Sequence, residues 1–108
     1  MASTEINIVA LVYPQPDKLE ELSALLATLT QQVHAHEPDT LVYYSFANKE
    51  GTVISVVERY RNQAAFEKHS QSTYFKEFVE KGKGLMAKPF DLVVGGDVVG
   101  GSVSVVRT

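Results

Sequence analysis

The order of apolar runs along this 108-residue chain predicts an α+β sandwich, an antiparallel sheet with its helices on one face. Three observations carry that prediction. β-branched runs and leucine-periodic stretches follow one another as β-α-β-β-α-β. A short polar link joins the two middle strands as a hairpin. The strands are apolar on both faces, although helices can cover only one.

Each element follows from its residues. "EINIVALVY", Glu5 to Tyr13, is a β-branched run that stops at Pro14 and reads as a strand. In "PQPDKLEELSALLATLTQQVHAHEP", Pro16 suits a first helical position, and Asp17, Glu20 and Glu21 place acid at the positive end of the helix dipole. Leu19, Leu22, Leu25, Leu26, Leu29 and Val33 share one stripe, and Pro38 ends the helix. "TLVYYSFAN" and "GTVISVVERY" are strands joined through "NKEG". Asn62 is a candidate N-cap for a short helix through His69, and Ser70 or Ser72 for another carrying Phe75, Phe78 and Val79. Gly82 and Gly84 end that helix, and "KPFDLVVGGDVV" supplies the last strand. The order is that of a ferredoxin-like sandwich, a single domain with its core at about residues 5–98.

Ile6, Ile8, Ala10 and Val12 lie on one face of the first strand, with Val9 and Leu11 on the other. Ile54 and Val56 oppose Val53 and Val57 in the third. A second copy of the sheet is the economical cover for the exposed side, giving a homodimer. The alternative is the tail from 99 to 108, whose Val/Ser alternation suits a short edge strand.

Composition narrows the function. A net charge of −3 without a Lys/Arg cluster argues against nucleic acid. With no cysteine, and with His34, His36 and His69 outside any ligand spacing, no metal site is expected. The N-terminal segment has no basic region, and no window approaches a membrane span, so a cytoplasmic protein is expected.

"VERYRNQAAFEKHSQSTYFKEF", Val57 to Phe78, resembles the signature segment of the antibiotic biosynthesis monooxygenase (ABM) family. There a strand ends in Glu-x-aromatic and leads to a helix with Ala-x3-4-His, then Ser-x2-Phe. Glu58, Tyr60, Ala64, Ala65, His69, Ser72 and Phe75 match. "HEPDTLVYY" resembles the family's Glu-Pro-Gly-x-x-x-Tyr through Glu37, Pro38 and Tyr43, with Asp39 in place of the glycine. The resemblance implies a dimeric α+β barrel with a pocket between sheet and helices in each subunit. Enzymes of this kind include cofactor-free oxygenases of phenolic polyketides and quinols, haem-degrading oxygenases and an isomerase. Haem is not expected: Val79 stands at the position of the axial ligand, and the chain has no tryptophan.

His69 falls on the inward stripe with Ala65 and Phe66. Two roles are open to it: a base in the pocket, or a core imidazole bonded to a strand carboxylate, with Glu58 the expected partner. By parity Tyr44 and Phe46 share a face opposite Tyr43, and Glu58 shares one with Tyr60. Tyr44, Phe46, Tyr60, Phe66, Tyr74 and Phe78 are the candidate aromatic walls, with ordinary packing as the alternative for each. Arg59 and Arg61 read as a solvated strand end and His36 as a helix-terminal cation. The leading expectation is a cofactor-independent monooxygenase in which His69, oriented by Glu58, deprotonates a phenolic or quinol-type substrate that reacts with O2. An isomerase or cyclase using the same pocket, and a non-catalytic binding dimer, are the alternatives.

Overall fold

A computed structural model describes residues 4–100. The chain runs β1 (Ile6–Val12), α1 (Leu19–His36), β2 (Thr40–Ala47), β3 (Ile54–Tyr60), α2 (Gln63–Ser70), α3 (Thr73–Gly82), a 3-10 turn (Lys83–Leu85) and β4 (Asp91–Gly95). The strands form one antiparallel sheet in the order β2-β3-β1-β4, the ferredoxin-like arrangement that the element order predicts. The proposed edge strand in the tail falls mostly on 101–108, outside the described residues.

Helix α1 starts later than expected. Asp17 has φ of 68°, a left-handed conformation that cannot join a helical turn. Just before it, the chain is tied to the 3-10 turn: the Gln15 N–H donates to the Leu85 carbonyl (2.8 Å), and the Ala87 N–H to the Tyr13 carbonyl (2.7 Å). Pro16 therefore lies in the link, while Glu20 and Glu21 occupy the first turn as read. Asn62 caps α2, accepting from the Ala65 N–H at 2.9 Å, and Ser72 caps α3, accepting from the Phe75 N–H at 3.2 Å. Ser72 also donates to the His69 carbonyl (2.6 Å), which fixes the break between the two helices.

Leu22, Leu26, Leu29 and Val33 of α1 pack with Ala10, Val12, Ile54, Val56, Phe78 and Met86 into one core on the helix side of the sheet. Burying each large side chain there contributes about 1.5–3 kcal/mol. Leu22 has no exposed surface, so Leu22→Ala falls in the range of about 2–5 kcal/mol for such truncations.

The opposite face is differently covered. The register sets Tyr44 beside Val57, Val57 beside Val9 and Val9 beside Val93, an apolar row across all four strands. Tyr44 is 49% exposed, Phe46 55% and Val93 62%. Val9, Leu11 and Val57 are half-buried. Both faces are apolar as the alternation indicates, but among the described residues only the helix side is closed.

Candidate active site

Four elements bring the site together on the covered face. β3 turns Glu58 and Tyr60 inward, β2 contributes Tyr43 directly across from Glu58, α2 contributes His69, and the end of α1 contributes Glu37. His69 is 2% exposed, with its ring 5.2 Å from that of Tyr43, 5.5 Å from Tyr60 and 5.0 Å from Phe75.

The carboxylate that holds His69 is Glu37, not Glu58. His69 Nδ1 lies 3.2 and 3.1 Å from the two oxygens of Glu37. Glu37 also accepts from the Thr40 hydroxyl (2.7 Å) and the Tyr74 phenol. Burial pushes the Glu37 carboxyl upward, but the hydrogen bonds from His69, Tyr74 and Thr40 outweigh it and hold the group below its ordinary value. An ionised carboxylate only accepts, so Nδ1 carries a proton, and in the neutral form of the ring Nε2 is the nitrogen without one.

Glu58 has another partner. The Tyr60 phenol donates to its Oε1 at 2.5 Å. Burial raises the Glu58 carboxyl above the usual range, against the lowering effects of that bond and of His69. Burial likewise raises the Tyr43 and Tyr60 phenols, with the neighbouring carboxylates adding to it. Two buried carboxyl groups thus flank one imidazole with their affinities for the proton pushed apart, the pattern that separates acid from base.

A cavity of about 220 Å³ adjoins the group, lined by Ile8, Ala10, Val12, Leu26, Tyr43, Val56, Glu58, Phe66, His69, Phe75, Phe78, Phe90 and Leu92. Its described lining includes no lysine or arginine. Among the described residues no buried side-chain nitrogen or oxygen lacks a partner, and both hydrogen bonds of the His69 ring involve Nδ1. Neither Nε2 of His69 nor Oε2 of Glu58 is therefore sealed in packing without a partner, and both residues line the cavity.

The structure brings His69, Glu58, Phe66 and Phe78 to the cavity. Tyr60 is fully buried behind Glu58. Tyr74 lies outside, bonded to Glu37 and stacked on His36 at 6.0 Å. Tyr44 and Phe46 are on the far side of the sheet, stacked on each other at 6.5 Å, because the hairpin register pairs Tyr44 with Val57 rather than with the Glu58 face. Tyr43 takes the place expected of them. Arg59 pairs with Glu5 (Nε–Oε1 2.7 Å) and Arg61 with Asp39 (3.0 Å), away from the cavity. Glu37 was legible only as part of the Glu-Pro block, with no role attached.

A ferredoxin-like sheet with a cavity lined by His69 and Glu58 beneath its helices defines a small α+β pocket protein. Comparison with known proteins makes the class specific. The model of the antibiotic biosynthesis monooxygenase family matches residues 6–81, and the chain belongs to that family. Protein sll1783 of Synechocystis is 34% identical over 94 residues, 86% of this chain; the match spans 63% of that relative, under two thirds of its length. YcnE of Bacillus subtilis, provisionally named a monooxygenase, is 29% identical over 82% of this chain and 93% of its own. A Caulobacter crescentus structure, provisionally named for the same family, superposes with a TM-score of 0.84 at 30% identity, covering 89% of this chain and 92% of that one. Rv0793 of Mycobacterium tuberculosis shares the fold, with a TM-score of 0.82 at 22% identity over 91% of this chain and 99% of its own. Among the described residues no helix is long and apolar enough to cross a membrane, and no group of three or more His, Asp or Glu could hold a metal ion.

Proposed function

We propose that the protein is a cofactor-independent monooxygenase of small, uncharged phenolic or quinol-type aromatics, working as a homodimer. The observation that carries this reading is His69, held through Nδ1 by Glu37 and lining an apolar cavity with Glu58, and we take its Nε2 as the base. His69 takes the phenolic proton, and the electron-rich phenolate passes one electron to O2. The radical pair joins at an unsubstituted ring carbon, forming the C–O bond of a peroxide, which is protonated by the imidazolium or Glu58. Loss of the remaining C–H proton as the O–O bond breaks leaves a quinone carbonyl and one water. Each O2 thus supplies one oxygen to product and one to water. Dry walls favour the step by keeping water from the phenolate. The cavity exceeds the roughly 150 Å³ site known to hold benzene, so there is room for a fused bicyclic ring, and the absence of a cation in its described lining disfavours carboxylated or phosphorylated substrates. The apolar row Tyr44–Val57–Val9–Val93 supports dimerisation through the open sheet face.

The test is oxygen uptake on 1-naphthol or a naphthohydroquinone, with ¹⁸O2 to follow the oxygen. One labelled atom in product and one in water, with no flavin or Soret absorption in the active protein, is the expected result. A second reading rests on the same acid and base: they suffice for a proton transfer that isomerises substrate with no O2 consumed. Deuterium exchange into substrate without oxygen uptake would favour it and remove the monooxygenase reading.

A further inference from the structure

We propose that Tyr74 is a positioning residue: with Thr40 it fixes the Glu37 carboxylate, and through it keeps His69 in the tautomer that bares Nε2 to the cavity. This rests on the reading of His69 as the base. Tyr74 does not line the cavity; it borders a groove between α1 and α3 with Leu25, Gln32 and Glu77, and its ring is half-buried against His36. Its phenol donates to Glu37 Oε2, on the same carboxylate that Thr40 and His69 Nδ1 address. The three donors come from β2, α2 and α3, so one carboxylate at the end of α1 records the placement of three other elements.

The chemistry of a shared acceptor gives the role. A carboxylate already taking two hydroxyl donors stays ionised, and an ionised carboxylate demands a donor from the imidazole. Remove one hydroxyl, and the carboxylate becomes a better acceptor for a proton of its own. A protonated Glu37 can donate to Nδ1, which would move the ring proton to Nε2 and close the base. Tyr74 itself stays protonated, its phenol pushed up to about 12 by burial and by the bond to Glu37. The other titratable groups facing the imidazole are Glu58 and Tyr60 from β3 and Tyr43 from β2. Lys68, next to it on α2, is engaged with the His36 carbonyl at 2.8 Å.

Nitrogen-15 and carbon-13 NMR of the labelled full chain, without ligand, tests the proposal independently of any reaction. In the unmodified protein neutral His69 is expected to carry its proton on Nδ1. Tyr74→Phe keeps the ring and is expected to move the titration of the Glu37 carboxyl carbon to higher pH and to reduce the Nδ1–H population. Thr40→Val should act in the same direction. On a phenolic substrate that is turned over, Tyr74→Phe should lower kcat by about tenfold, part of the 10²–10⁴ of a positioned base, with KM changed less than about twofold. A proton on Nε2 in the unmodified protein overturns the proposal, even if the variants fail to fold. So does a Tyr74→Phe protein that melts earlier with its Glu37 titration and kcat unmoved. If the NMR changes occur but no phenol consumes oxygen, the positioning role stands and the monooxygenase reading falls.

Discussion

Replacing His69 by alanine separates its work in the cavity from its work in the core. The substitution removes one donor from Glu37, which keeps the Thr40 hydroxyl and the Tyr74 phenol. A hydrogen bond to a charged group is worth about 1.5–3 kcal/mol, and with two donors remaining the loss belongs near 2. The lost packing against the rings of Tyr43, Tyr60 and Phe75 adds about 1 kcal/mol. The imidazole already borders a cavity, so its removal enlarges an existing void rather than opening a sealed core. About 3 kcal/mol in a domain of this size lowers Tm by roughly 12–24 °C at fixed protein concentration. Turnover per folded molecule should fall by about 10²–10⁴. The assay pairs a calorimetric melt with oxygen uptake at a temperature where the variant is fully folded. A destabilised His69→Ala protein with wild-type specific activity would refute the reasoning and assign the residue to the core alone.

Three further perturbations probe other parts of the molecule. Val57→Asp puts a charge in the middle of the open apolar row and should convert a micromolar dimer into monomer, as read by sedimentation; a monomeric unmodified protein would remove the dimer. Because the folded Glu58 carboxyl is raised above its unfolded value, the native state holds that proton more tightly, and stability falls as pH rises from the unfolded value of about 4.5 through the folded one. Glu58→Gln, an uncharged isostere that can still accept from Tyr60, should flatten this slope in melts at stepped pH; an identical slope in both proteins would show that Glu58 is not its source. Ser72→Ala removes the α3 cap and the bond to the His69 carbonyl and should cost about 1–2 kcal/mol in denaturant unfolding, whereas Ser70→Ala, whose hydroxyl caps neither helix, should cost markedly less.

The fold was legible because its signals are local and repeated. The leucine stripe, the β-branched runs and the caps at Asn62 and Ser72 each specify an element without reference to the others. The site depended on which residues face each other, and there the reading divided. The spacing of His69 and Glu58 predicts the face on which both lie. It does not predict their pairing, since both oxygens of Glu37, from the far end of α1, reach Nδ1. No periodicity carries that contact; it depends on how the chain turns at Pro38. The choice of Tyr44 over Tyr43 is a different case. An even number of residues links β2 to β3, from 48 to 53, so odd positions of one strand lie across from even positions of the other. Glu58 therefore faces Tyr43, and the parity was present in the sequence.

The placement of β4 has a consequence for how the protein is made. Ile8 pairs with Val94, so one wall of the sheet is joined by residues that leave the ribosome more than eighty positions apart. β1 meets β3 first, through contacts about fifty residues distant, and the two can pair while the rest of the chain is still being synthesised. Until Asp91 to Gly95 emerge, the far edge of β1 presents unpaired backbone groups, and the cavity lacks Phe90 and Leu92. The pocket is thus completed late, and a chain cut off before position 90 would have three of the four strands, an open edge on β1 and no closed place for a substrate.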